Sequence, residues 1–143
     1  MSFLNLPTDW SETPLSDPTL AADVVDLCLS VGDRRLGLLK AIFCDPEDRF
    51  HGQVEIELRD RHDQLHLTDP RAVLEPLAVA LRSAPSNSVL LALGRPGPSS
   101  WPAIDNNWAE TASTICADSN IPLLAFYVAT TEEVHRVEAT VNA

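Results

Sequence analysis

Apolar positions recur in two rhythms along this chain, one of helices and one of strands. Leu20, Val24, Leu27, Cys28 and Val31 stand at i, i+4, i+7, i+8 and i+11, a single helical stripe. Asp17-Pro18 begins that helix with a capping carboxylate and a proline where no amide partner is needed. Gly32 is placed to end it in a left-handed conformation. Residues 36–44 are an apolar run containing Ile42 and Phe43, which predicts a buried strand. Asp45-Pro46-Glu47-Asp48 has turn chemistry. From Phe50 to Leu58, Val54, Ile56 and Leu58 alternate with Gln53, Glu55 and Glu57, the period of a half-buried strand. The two strands read as a hairpin, and residues 59–66 as a polar loop or short edge strand.

The second half alternates more regularly. Asp69-Pro70 repeats the helix-start signal, and Val73, Leu74, Leu77 and Leu81 follow at helical spacing. Pro76 inside that pattern predicts either a kink or a later start. Ser88 to Leu93 is short and almost wholly apolar, as a central strand buried on both faces would be. Gly94 to Pro102 holds three prolines and two glycines, which excludes regular structure. Asp105 or Asn106 can cap the next helix, whose inner stripe is Trp108, Ala112, Ile115 and Cys116. Ile121 to Ala129 reads as a strand. Thr130 or Thr131 followed by Glu132 and Glu133 predicts a last short helix with Val134, Val137 and Val141 facing inward.

This order predicts one α/β domain over residues 17–143. Its mixed sheet has four to five strands, with an antiparallel leading hairpin and helices on both faces. Residues 1–16 are an N-terminal arm. Phe3, Leu4, Leu6 and Trp10 are too apolar for a free linker and are expected to dock, on this chain or on a partner.

Composition narrows the function. The 143 residues carry 10 Lys and Arg against 21 Asp and Glu, a net charge of −11. A cationic face for nucleic acid is therefore not expected. The acidic excess is concentrated early, with 14 acidic and 6 basic residues in positions 1–70. Most of it reads as a solvated face, with a basic partner as the functional alternative. No apolar run is long enough to span a bilayer. The first 33 residues hold no Lys or Arg, so no signal peptide is expected and a cytoplasmic location is.

Candidate chemistry is sparse. Cys28, Cys44 and Cys116 form no Cys-x-x-Cys pair and read as reduced core thiols. His62 and His66 have metal-ligand spacing only on a helix, and the residue after His62 is Asp63 rather than Glu. A metal-assisted hydrolase using His51, His62 or His66 is the enzymatic alternative. His135, among Glu132, Glu133 and Glu138, reads as an exposed helix face. No nucleophile elbow, phosphate loop or dinucleotide fingerprint occurs, and no cofactor is expected. The proline-rich loop leaves the carboxyl end of a buried strand, where α/β sheets place their clefts. Arg95, Trp101, Asp105 and Trp108 are its candidate binding crevice, because Arg and Trp are favoured anchors of interfaces. The bland alternative packs both Trp over the sheet and pairs Arg95 with a carboxylate.

One family resemblance runs through these segments. The succession of Ile42-Phe43-Cys44-Asp45, Glu55, Asp69-Pro70-Arg71, the strand Val89 to Leu93, and Gly94 to Asp105 resembles the JAB/MPN metalloprotease domain. The bacterial RadC-like branch is the nearest, over roughly residues 36–129, with Asn120-Ile121-Pro122 at the family's last step. The resemblance implies a three-layer sandwich of the JAB/cytidine-deaminase-like kind. In that family two His of a loop and a downstream Asp bind zinc, and a strand Glu is the general base. Aligning Pro96 with the motif's proline puts Leu93 and Arg95 where the two His belong. Leucine has no lone pair, and a guanidinium repels a divalent ion. Asp105 would match the Asp, and Glu55 or Glu57 the Glu, although a helix cap and a wet strand face explain them as well. One ligand of three does not hold zinc. The resemblance thus implies a metal-free, non-catalytic member that acts by binding, as a homodimer or on another protein chain.

Overall fold

In the computed structural model, which describes residue 6, residues 8–83 and residues 88–138, the sheet is built around one wholly buried strand. Strands β1 (Leu38–Cys44), β2 (Phe50–Glu57), β3 (Ser88–Gly94), β4 (Leu123–Ala129) and β5 (Val134–Arg136) form one five-stranded sheet in the order β2-β1-β3-β4-β5. All seven residues of β3 are buried at its centre. The β3–β4 pair is parallel, and the other three pairs are antiparallel. The fold is α/β with an antiparallel leading hairpin, as the sequence pattern requires.

Strand alternation sends side chains to two cores. Leu39, Ala41, Leu91, Leu93 and Val128 meet helices α3 (Pro70–Arg82) and α4 (Pro102–Asp118). Leu38, Ile42, Leu90, Ala92 and Tyr127 meet helix α1 (Pro18–Cys28) on the other face. Asp17 caps α1, its carboxylate accepting from Thr19 N at 3.0 Å and Leu20 N at 3.3 Å. α3 begins at Pro70 and runs on through Pro76, whose ring is on the exposed side. Among the described residues no helix is long and apolar enough to cross a membrane.

Three local expectations are corrected. The first helix stops at Cys28, because Ser30 and Asp33 form a capping box that starts helix α2 (Val31–Leu36). Gly32 therefore lies inside a helix, and Leu27 and Val31 stay exposed while Ala21, Val25 and Leu29 are buried. The left-handed terminator is Gly37, at φ +93°, where a Cβ would run into Leu65. Next, α4 begins at Pro102, so neither Asp105 nor Asn106 is its cap. Finally, the segment after β4 is no helix. The Thr130 hydroxyl accepts from the Glu132 and Glu133 amides, and Thr130 N donates to Glu133 O. This closed turn directs Val134–Arg136 back along β4.

The arm docks on its own chain over its described part. Trp10 packs edge-on against Phe50 with centroids 5.3 Å apart. Leu15 is buried, and its amide donates to Asp48 O at 2.7 Å. Leu6 packs on the α1-side core. Phe3, Leu4 and Val141 lie outside the described residues.

Candidate functional site

The proline-rich loop closes on a buried guanidinium. Arg95 Nε and Nη2 donate to the two carboxylate oxygens of Asp105 at 2.7 and 2.8 Å. Nη1 donates to the carbonyls of Pro98 at 2.6 Å and Pro96 at 3.2 Å. The face of Trp101 lies 5.5 Å from Cζ. Asp105 Oδ2 also accepts from Trp101 N, at 3.3 Å. Arg95 and Asp105 are buried, as is Trp108, whose indole N–H donates to Leu67 O at 2.9 Å. Of the four expected crevice residues, only Trp101 reaches solvent. The loop is a packed staple holding the start of α4 to the end of β3.

Of the residues aligned with the family's zinc site, Arg95 and Asp105 meet as an ion pair, but the aligned glutamates do not join them. Leu93 is fully buried in the α3–α4 core, and Asp105 is on that side too. Glu55 is paired across the hairpin with Lys40, and the two side chains meet at 2.9 Å. Lys40 alternates with Leu39 and Ala41, so this pair projects from the opposite face of the sheet, as does Glu57 opposite Leu38.

The histidines are equally dispersed. His66 N donates to Leu58 O, and His66 Nε2 lies 2.9 Å from Asp60 Oδ2. Hydrogen bonds to Asp60, first from the Gln64 amide and then from His66, hold its carboxyl below the ordinary range. His51 is at the far end of β2, about 23 Å from Leu58 at strand rise. His135 is half-buried, with Nε2 at 3.8 Å from Asp105 and Nδ1 at 3.6 Å from Glu133. Among the described residues no group of three or more His, Cys, Asp or Glu has metal-binding geometry.

The cysteines are free, Cys44 and Cys116 buried and Cys28 half-buried. Burial pushes the Cys116 thiol up to about 11 and also raises Cys28 and Cys44. A thiol reagent at pH 8 is therefore expected to label half-buried Cys28 slowly and first. Cys44 and Cys116 should react only on unfolding. Fast native labelling of Cys116 would contradict its place on the inner stripe of α4.

A groove of about 710 Å³ lies between α1 and the β4–β5 turn. Asp23, Asp26, Glu132 and Glu133 line it, with Arg34 as the single cation. Arg34 is buried; its Nε has no hydrogen-bond partner among the described residues, and its other two nitrogens are bonded. Its Nη1 donates to Thr130 O at 3.1 Å, and its Nη2 to Asp26 O and Asp26 Oδ1 at 3.1 and 2.8 Å. It ties α1, α2 and the turn into one wall. Asp23 stands one turn earlier on α1 and is 5% exposed. A second groove of about 260 Å³, beside Gly37 and β2, is also acidic. Four of its five carboxylates are engaged: Asp33 with Ser30 N, Glu55 with Lys40, Asp60 with His66, and Asp63 with Arg59 at 3.9 Å.

Sequence reasoning missed Asp23 and Arg34. A signal for Asp23 was present: three residues past Leu20, it falls about 60° from the apolar stripe on the helix wheel. Arg34 carries no comparable signal, because its partners come from α1 and from a turn 96 residues away.

Compared with known protein families and curated proteins, the chain matches none.

Proposed function

We propose that this chain is a non-catalytic binding domain whose contact surface is the groove between α1 and the β4–β5 turn. The observation that carries this reading is Arg34 Nε, a buried donor with no hydrogen-bond partner among the described residues, in the wall of an otherwise rigidly bonded groove. A buried polar group without a partner is costly, and a bound partner relieves that cost. The implied kinship with metal-free JAB/RadC-like domains, and a cytoplasmic setting, accord with such a role. So does the absorption of Arg95 and Asp105 into a structural staple.

The test is amide chemical-shift mapping of the full chain against three probe peptides, one lysine-rich, one acidic and one neutral. Saturable shifts at Thr19, Ala22, Asp23 and Thr131 to Val134 are expected with one of them. No saturable shift with any probe would remove the reading. Stoichiometric zinc in the purified protein, lost in His62→Ala, would replace it with the metal-assisted alternative.

A further inference from the structure

Resting on that reading, we propose that the groove seats an extended, uncharged stretch of another protein, one of whose backbone carbonyls accepts from Arg34 Nε. The Arg34 side chain is 7% exposed. Its Nη1 and Nη2 are bonded within the chain, whereas Nε has no acceptor among the described residues. A buried N–H left unbonded is destabilising, and an acceptor brought by a ligand removes that penalty. The group the wall lacks is therefore an acceptor. A cation in the groove would leave Nε as it is.

Charge narrows the acceptor. Asp23, Asp26, Glu132 and Glu133 line the same groove, and the charge of Arg34 is already matched by Asp26 at 2.8 Å. A carboxylate or phosphate would enter against these groups and against a net charge of −11. A neutral carbonyl meets no such repulsion. Along a peptide its neighbours are N–H groups, which suit the exposed carboxylates of Glu132 and Glu133. Pro18, Ala22 and Val134 add apolar wall for the side chains between. A single small amide would leave most of the 710 Å³ to solvent, whereas a segment of several residues fills it. Because Nε is buried, the acceptor reaches it only as the wall gives. The Thr130–Glu133 turn is the part to shift, since it is held to Arg34 by the Nη1 bond to Thr130 O at 3.1 Å. Binding is thus read at the turn and at Nε together.

The experiment is an NMR titration of the full chain that follows the Arg34 Nε–H resonance beside the backbone amides. The probes are a neutral peptide of Ser, Gln and Gly, lysine-rich and acidic peptides of the same length, inorganic phosphate and glucose. Expected results are a saturable downfield move of Arg34 Hε with the neutral peptide, at the same Kd as the shifts of Thr131 to Val134. The neutral peptide should bind about tenfold or more tightly than the acidic one. Arg34→Lys keeps the cation and deletes the Nε donor, and should weaken the neutral peptide about tenfold. Unchanged affinity in that variant would overturn the inference. Should it not fold, the Hε resonance of the wild type still decides. Groove shifts that saturate while Hε stays in place would put the acceptor elsewhere and overturn the inference. Phosphate moving Hε at an affinity equal to the peptide's would make the ligand an anion, and tighter binding of glucose would make it a free polyol. Either overturns the commitment to a neutral protein segment. If only the lysine-rich or the acidic peptide shifts the groove residues, this inference fails while the binding-domain reading stands. If no peptide does, both fail.

Discussion

Replacing Arg95 by methionine is expected to cost about 3–5 kcal/mol of folding stability, read as a fall in the urea midpoint at unchanged slope. The substitution keeps an unbranched apolar stem but deletes four donated hydrogen bonds. It strands the Asp105 carboxylate in a site where that residue is buried and where, among the described residues, the other ion-pairing group within 4 Å is the half-buried His135 imidazole, 3.8 Å away. Domains of this size have total stabilities of roughly 5–15 kcal/mol, so the loss is a large part of the whole. Arg95→Lys should not rescue it, because an ammonium cannot bond both carboxylate oxygens and two carbonyls from one plane. The double variant Arg95→Met/Asp105→Leu should recover most of the loss, since removing both charges leaves no unpaired ion. A cost below about 1 kcal/mol for Arg95→Met would mean the loop is held by its prolines and by Trp101 packing instead.

That staple shows where sequence reading reaches and where it stops. The hairpin, the central strand and the inner stripe of α4 were legible because each is written in a short-range rhythm. Val54 and Ile56 alternate with Gln53, Glu55 and Glu57, β3 is unbroken apolar sequence from Val89 to Leu93, and Trp108, Ala112 and Ile115 recur at helical spacing. Arg95 and Asp105 both read as lining a crevice of this loop, not as each other's partner; their pairing depends on burial, which ten residues of proline-rich sequence do not encode. The same loop read as a crevice by its composition is closed by its own carbonyls. Local competition explains the two misplaced helices. Leu27 and Val31 continue the apolar stripe of α1, yet the reciprocal bonds of Ser30 and Asp33 end one helix and begin another. After β4, Val134 and Val137 suit a helix face and a strand equally. The Thr130 turn and the free edge of β4 select the strand. Asp23 belongs to a different class, because the groove it lines exists only once α1 is set against a turn more than a hundred residues away.

Trp108 is expected to carry the second large effect, because it joins α4 to the loop that follows β2. Its side chain is fully buried in the α3–α4 core, and its indole N–H is the donor to Leu67 O. Leu67 is itself buried, so that carbonyl has no water to turn to. Trp108→Ala removes the ring and the donor together, and a loss of about 3–5 kcal/mol is expected from the cavity and the lost transfer energy. Trp108→Phe keeps most of the apolar volume and strands only the carbonyl, which should cost about 1–3 kcal/mol. The two variants also separate in hydrogen exchange. Trp108→Phe should loosen the amides of residues 58–67 while those of β3 stay protected, whereas Trp108→Ala should loosen both. If Trp108→Phe left residues 58–67 as protected as in the wild type, the indole would be a core filler alone, and the anchoring of the loop would fall to the His66–Leu58 backbone bond and the packing of Leu65 against Gly37.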